Sequence, residues 1–295
     1  MVLPRSEMEF LQPESWAEAL AVRAAYPEAL PVAGGTDVMV ELNFARRRPP
    51  ALLDLGRVAG LADWGTEDGL LRLGAGVPYR RIVTELAGRA PGLAMAARTI
   101  GSAQIRNRGT VGGNLGSASP AGDALPPLLA AGALVELASV RGVRRVPVAG
   151  FCTGPKRSML APDELIAAVL LPPDAGPEQF AKVGTRNAMV IAVCSFALAL
   201  RPVSRTVGTG IGSAAPTPVR AAAAEELLVA ELPWADRAAL PEPLVRRFGE
   251  LVAAAASPID DVRGTAAYRR HALGVLAGRA VRRAWAEHRR GGVRG

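Results

Sequence analysis

Cysteine, histidine and lysine are all scarce. The 295 residues include two cysteines, Cys152 and Cys194, two histidines, His271 and His288, and two lysines, Lys156 and Lys182. No C-x-x-C pair occurs, which argues against a disulfide scaffold, an iron–sulfur cluster and a structural zinc site. Both histidines fall near the C-terminus. Neither a Cys–His or Ser–His nucleophile pair nor histidine ligation of a metal therefore has support. Long apolar runs are missing too. The longest, Ala188 to Leu200, is interrupted by Ser195 and is too short to cross a bilayer. The first residues, with Arg5, Glu7 and Glu9, do not form a charged-then-apolar targeting signal. The expectation is a soluble, cytosolic chain whose chemistry comes from an organic cofactor or a partner.

The hydrophobic share of 49% and the charged share of 21% exclude wholesale disorder. The length suits two domains or three small ones. The net charge is +8, and all but two of the 35 basic residues are arginine. From Arg263 onward, nine arginines stand against a single acid, Glu287. No aromatic interleaving or groove-reading motif accompanies them. Solvated helix surface or a partner interface fits better than nucleic acid.

Apolar periodicity predicts a helix over 12–25, a strand over 30–33, a helix from Val38 capped by Thr36 or Asp37, and a strand over 51–55. This α–β–α–β unit ends near Gly56. A second begins around Leu61, with a strand over 70–76, a helix over 78–86 and a glycine-rich loop with short turns over 101–116. A helix over 124–131 follows, with Pro126 and Pro127 in its first turn. Strands are expected at 134–138, 144–148 and 165–171. Pro172 to Pro177 is the best linker. Beyond it lie strands at 178–183, 191–201 and 206–211, then helices at 219–230, 243–256 and 264–288. This last part reads as a separate α+β domain.

Two glycine turns carry the chemistry. In Val32-Ala33-Gly34-Gly35-Thr36-Asp37, two glycines follow a strand and precede a helix, where backbone amides can approach an anion. Thr110-Val111-Gly112-Gly113-Asn114 offers the same elements again, and Asp123 follows at the start of the next helix. Asp123 suits a ribose hydroxyl, a helix cap, or both. Two such turns face to face would clamp a pyrophosphate from both sides, unlike the single G-x-G-x-x-G turn.

Together these motifs resemble those of the FAD-binding medium subunit of molybdenum hydroxylases, the family of xanthine dehydrogenase and carbon monoxide dehydrogenase. Ala33 to Asp37 is similar to the family's A-G-G-x-[DS]. Thr110 to Asn114 and Pro120 to Asp123 are similar to T-[IV]-G-G-N and P-x-x-D. Phe151 to Gly154, Leu160 to Ile166, Phe180 to Lys182, Ala214 to Arg220 and Val262 to Arg270 also resemble family signatures, so the likeness covers nearly the whole chain.

The resemblance implies an α+β fold. A two-lobed FAD-binding domain of the vanillyl-alcohol-oxidase type (lobes 1–57 and 58–174) would precede a small α+β domain (178–290) with an antiparallel sheet and helices. It also implies roles for particular residues. Gly34, Gly35, Thr36 and Asp37 would hold the FAD pyrophosphate from the first lobe, with Val32 and Ala33 of the same motif also in the cofactor site. Gly112, Gly113 and Asn114 would hold it from the second, with Thr110 nearby. Asp123 would reach the adenosine end. Ile100, beside Gly101, would pack on the isoalloxazine ring, and Leu165 and Ile166 would line the dinucleotide. Lys182 would lie near the flavin's pyrimidine edge and stabilise the anionic reduced ring. No catalytic or metal-binding residue is expected in this chain.

The implied activity is electron transfer by non-covalently bound FAD. Electrons would arrive from a [2Fe–2S] small subunit fed by a molybdenum-cofactor large subunit, in a dimer of heterotrimers, and leave to NAD+, a quinone or oxygen. Pro155 and Val190 depart from the family pattern near the flavin, so NAD+ use does not follow. The alternative enzyme is a self-contained flavoprotein oxidase or reductase on a similar fold. A nucleic-acid-binding module would leave both glycine turns unexplained.

Overall fold

The computed structural model describes residues 8–173 and 176–291. The first unit is a small three-stranded sheet. It runs β1 (Glu9–Leu11), α1 (Trp16–Ala25), β2 (Leu30–Val32), α2 (Val38–Asn43) and β3 (Ala51–Asp54). The strand order is β1-β3-β2, and both pairings are parallel. Ser15 caps α1, its hydroxyl accepting from the Glu18 amide at 3.2 Å. The short edge strand β1 was not expected. It is too brief to show an alternating pattern.

The second unit is a five-stranded antiparallel sheet. Its elements are β4 (Trp64–Glu67), β5 (Leu70–Gly74), α3 (Tyr79–Glu85), α4 (Pro91–Thr99), α5 (Ala103–Arg108), α6 (Val111–Ser117), α7 (Leu125–Ala130), β6 (Leu134–Ser139), β7 (Gly142–Pro147), the small hairpin β8 (Cys152–Gly154) and β9 (Arg157–Ser158), and β10 (Leu165–Leu171). The sheet order is β4-β5-β10-β6-β7. Every residue of central β10 is buried, which explains its unbroken apolar run. The glycine-rich stretch expected as loop forms two short helices instead. Side-chain caps nucleate them: Ser102 accepts from the Ile105 amide at 3.4 Å, and Thr110 from the Gly113 amide at 3.0 Å. Tertiary packing then outweighs the poor helix propensity of glycine.

Residues 174 and 175 of the expected linker lie outside the described residues. The third unit follows, with β11 (Glu178–Val183), β12 (Cys194–Arg201), β13 (Thr206–Gly212), α8 (Ala222–Glu231), α9 (Glu242–Ala255) and α10 (Ala266–Gly291). Its sheet is antiparallel, in the order β11-β12-β13. Strand β12 alternates strictly. Cys194, Phe196, Leu198 and Leu200 belong to the core shared with the three helices. On the opposite face, Ala197 and Ala199 pack with Ala96 and Ala130 of the second unit. Strand β13 continues that small-residue face with glycines. A Cβ built on Gly208 would lie 2.0 Å from the Ala130 carbonyl oxygen, and one on Gly210 would lie 2.1 Å from that of Pro126. Helix α7 therefore rests directly on the backbone of β13.

This contact yields a prediction. Gly210→Ala forces α7 off the strand and should cost about 2 kcal/mol or more, lowering the melting midpoint by several degrees. Gly65→Ala, which meets nothing within 4 Å, is the control and should be nearly silent. Thermal denaturation of the two variants checks it.

Candidate functional site

A cleft of about 730 Å³ opens between the first two units. Both glycine turns line it, the first leading from β2 into α2 and the second forming the start of α6. The turns are in contact through the backbone. A Cβ on Gly34 would lie 1.9 Å from the Arg108 carbonyl oxygen, and one on Gly109 would lie 3.5 Å from Thr36 Oγ1. Gly34 is thus required for the two units to meet. Gly35 serves conformation instead, with φ of +74°. Gly112 is a packing glycine as well, since its Cβ would lie 2.5 Å from that of Ala75.

The turns differ in what they offer a ligand. Among the described residues, the N–H groups of Gly34, Gly35, Thr36 and Asp37 donate to no group of the chain. Asp37 occupies the cap position of α2 without a side-chain capping bond. In the second turn the amides are already engaged. Gly112 donates to the Ala75 carbonyl at 2.9 Å, Gly113 to Thr110 Oγ1 at 3.0 Å, and Asn114 to the Thr110 carbonyl at 3.1 Å. What remains there is side-chain chemistry: the Thr110 hydroxyl proton and the Asn114 amide, whose buried Oδ1 has no partner in the chain. The two turns expected to clamp a pyrophosphate from both sides therefore differ in the donors they leave free. The first turn can bind an anion through free amides, and the second through side chains.

Of the remaining expected residues, Ala33, Ile100, Leu165 and Ile166 line the cleft. Val32, Gly101, Asp123 and Lys182 do not. Lys182, from β11, donates to Asp123 Oδ2 at 2.6 Å, to the Thr99 carbonyl at 2.9 Å and to the Val190 carbonyl at 3.2 Å. An ammonium has three protons, and this one uses all of them within the chain. Lys182 and Asp123 also cannot serve opposite ends of an extended dinucleotide, because they are ion-paired. Nor does Asp123 cap α7, where Ala124 holds the cap position. The lysine ties the third unit to the end of α4, just before Ile100. Burial pushes the Asp123 carboxyl up, against the pull of Lys182. Its second oxygen, Oδ1, is buried without a partner in the chain.

Several lining residues carried no recognisable motif. Tyr79 is one. Lys156, from the turn between β8 and β9, reaches across to Glu41 of α2 and links the two units, and this contact holds the Glu41 carboxyl below its usual range. Both lysines of an arginine-rich chain thus bridge units, Lys156 at the cleft and Lys182 outside it, a signal present in the composition. Among the described residues, no cluster of histidine, cysteine, aspartate or glutamate could hold a metal ion, and no helix is long and apolar enough to cross a membrane.

A dinucleotide-sized cleft between two α/β units, with a glycine turn on each wall, defines a cofactor-binding domain. Residues 6–174 match the family described as the FAD binding domain in molybdopterin dehydrogenase, and residues 179–284 match the CO dehydrogenase flavoprotein C-terminal domain. The putative xanthine dehydrogenase FAD-binding subunit of Escherichia coli K12 is 31% identical over 90% of this chain and 91% of its own. A solved carbon monoxide dehydrogenase chain from Hydrogenophaga pseudoflava, from a preparation lacking the Mo-pyranopterin moiety, superposes with a TM-score of 0.86 at 28% identity, covering 97% of this chain and 99% of that one. Quinoline 2-oxidoreductase from Pseudomonas putida 86 gives a TM-score of 0.86 at 25% identity, over 97% and 99% of the two chains. The chain belongs to the family of FAD-binding medium subunits of xanthine dehydrogenase and carbon monoxide dehydrogenase type oxidoreductases.

The lysine anchor is testable. Lys182→Met strands a buried carboxylate and should cost about 3 kcal/mol or more at neutral pH. Protonation of Asp123 removes the stranded charge, so the deficit should shrink as pH falls. Melting midpoints of both proteins across a pH series check the sign. A deficit that is constant or grows towards acid pH contradicts it.

Proposed function

We propose that this chain is the electron-transferring flavin subunit of a molybdenum hydroxylase complex. Non-covalent FAD supplies two-electron and one-electron redox chemistry, linking a [2Fe–2S] partner to the final acceptor. The free amides of Gly34 to Asp37 carry this reading, because they are an anion site without an anion of the protein's own to fill it. Asn114 Oδ1, buried at the cleft without a partner in the chain, suits a polar ligand further.

The residues divide the work. Gly34, Gly35, Thr36 and Asp37 hold the pyrophosphate through backbone N–H, with Thr110 and Asn114 opposite. The side chains of Leu165 and Ile166 line the apolar wall of the cleft. Ile100 sets the surface on which the ring system packs, and Lys182 fixes the backbone leading to it. The units correspond to residues 1–57, 58–174 and 178–290. The large partner holds the molybdenum cofactor and oxidises the organic substrate, and the small one holds the iron–sulfur centres. The complex is a cytoplasmic dimer of heterotrimers. With Pro155 and Val190 in place of the family's usual residues, the acceptor is NAD+, a quinone or oxygen.

The purified chain should show flavin absorption, and acid precipitation should release the chromophore into the supernatant. Gly113→Leu places a bulky side chain where only Thr110 Oγ1, at 3.1 Å, now bounds the space, and it should lose most of its flavin. A colourless wild-type chain that cannot be reconstituted with FAD contradicts the reading.

A further inference from the structure

Tyr79 is 3% exposed, yet it lines the cleft. The chain fixes it at the junction of the two glycine turns. Its amide donates to the Gly109 carbonyl at 3.0 Å, and Pro78 beside it forms a β-bridge with Thr110. A Cβ on Gly109 would lie 3.3 Å from Tyr79 Cδ2 and 3.5 Å from Thr36 Oγ1, so the ring, the second turn and the first-turn hydroxyl converge. The ring itself belongs to the core, but its hydroxyl is buried with no partner in the chain. A buried hydroxyl left unpaired is destabilising, and a phenylalanine would have filled the same space without that cost.

We infer that Tyr79 is a cofactor-anchoring residue that donates a hydrogen bond to a neutral oxygen of the ribityl chain of bound FAD. The inference rests on the FAD reading above. The donor role follows from the surroundings. Burial pushes the phenol well above its ordinary range, and the negative charges of Asp123 and Asp37 add to the shift, so it stays protonated. The choice of a neutral acceptor follows from the division of donors around the cleft. The pyrophosphate already has the amides of Gly34 to Asp37, with Thr110 and Asn114 opposite, which leaves this phenol donor for the adjoining polyol.

The test is Tyr79→Phe in the full chain, stripped of flavin and titrated with FAD and separately with ADP, which has the diphosphate and adenosine but no ribityl group. FAD affinity should fall about tenfold while ADP affinity stays unchanged. The flavin-free variant should melt no lower than wild type, because an unpaired hydroxyl has been removed. Unchanged FAD affinity, equal losses for FAD and ADP, or a lower melting midpoint of the flavin-free variant would each overturn the assignment. A wild-type chain that fails to bind FAD would instead remove the reading on which it rests.

Discussion

The backbone of Gly34 lies on the carbonyl of Arg108, and the cleft depends on that contact. A side chain there would prise the first unit from the second, since even a methyl group would sit within bonding distance of the carbonyl oxygen. With the contact made, the turn carrying four unpaired amides faces the side chains at the start of α6 across a cleft of about 730 Å³. Lys156 and Glu41 add a second link between the units. It is a solvent-facing ion pair that steadies the lobes more than it stabilises the fold.

Close backbone approach recurs where the third unit joins. The glycine stripe of β13 and the alanines of β12 let α4 and α7 lie almost on the sheet, and the large residues of β12 face the opposite way into the helices. Buried polar groups reinforce the small-residue seam. Glu178 accepts from the Gly92 amide at 2.9 Å and from Arg201 at 2.9 Å, while Lys182 reaches Asp123 and the end of α4. The position of Ile100 is thereby coupled to a unit that contributes nothing else to the cleft. The protein's scarce lysines sit where a flexible stem and a compact three-proton head are useful, and its arginines form pairs both at the surface and, as at Arg201 and Arg269, in the interior.

Most of the framework is legible in the residues. The alternation in β12, the apolar run of β10 and the proline-led α7 each announce themselves, and the motif resemblance leads to the family that the comparisons support. Other features escape because their causes are not local. The helices α5 and α6 form in glycine-rich sequence only because Gly112 must pack on Ala75 and because Ser102 and Thr110 cap them. The edge strand β1 exists because β3 offers it a partner. The roles of individual glycines were equally hidden. From sequence, Gly34 and Gly112 look like anion-cradling positions alone, and the structure shows that both are packing positions as well, Gly34 against Arg108 and Gly112 against Ala75. The pairing of Lys182 with Asp123 spans units whose docking no spacing rule encodes, and Tyr79 belongs to no motif.

On the proposed reading the cofactor is bound through the free backbone amides of the first turn, while those of the second turn are engaged within the fold. Amide hydrogen exchange of the flavin-free and FAD-loaded chain tests this most directly. Exchange at Gly34 to Asp37 should be fast without FAD and strongly protected with it, and exchange at Gly112 to Asn114 should be slow in both states. Protection that appears on FAD addition at the second turn, with the first unaffected, would contradict it.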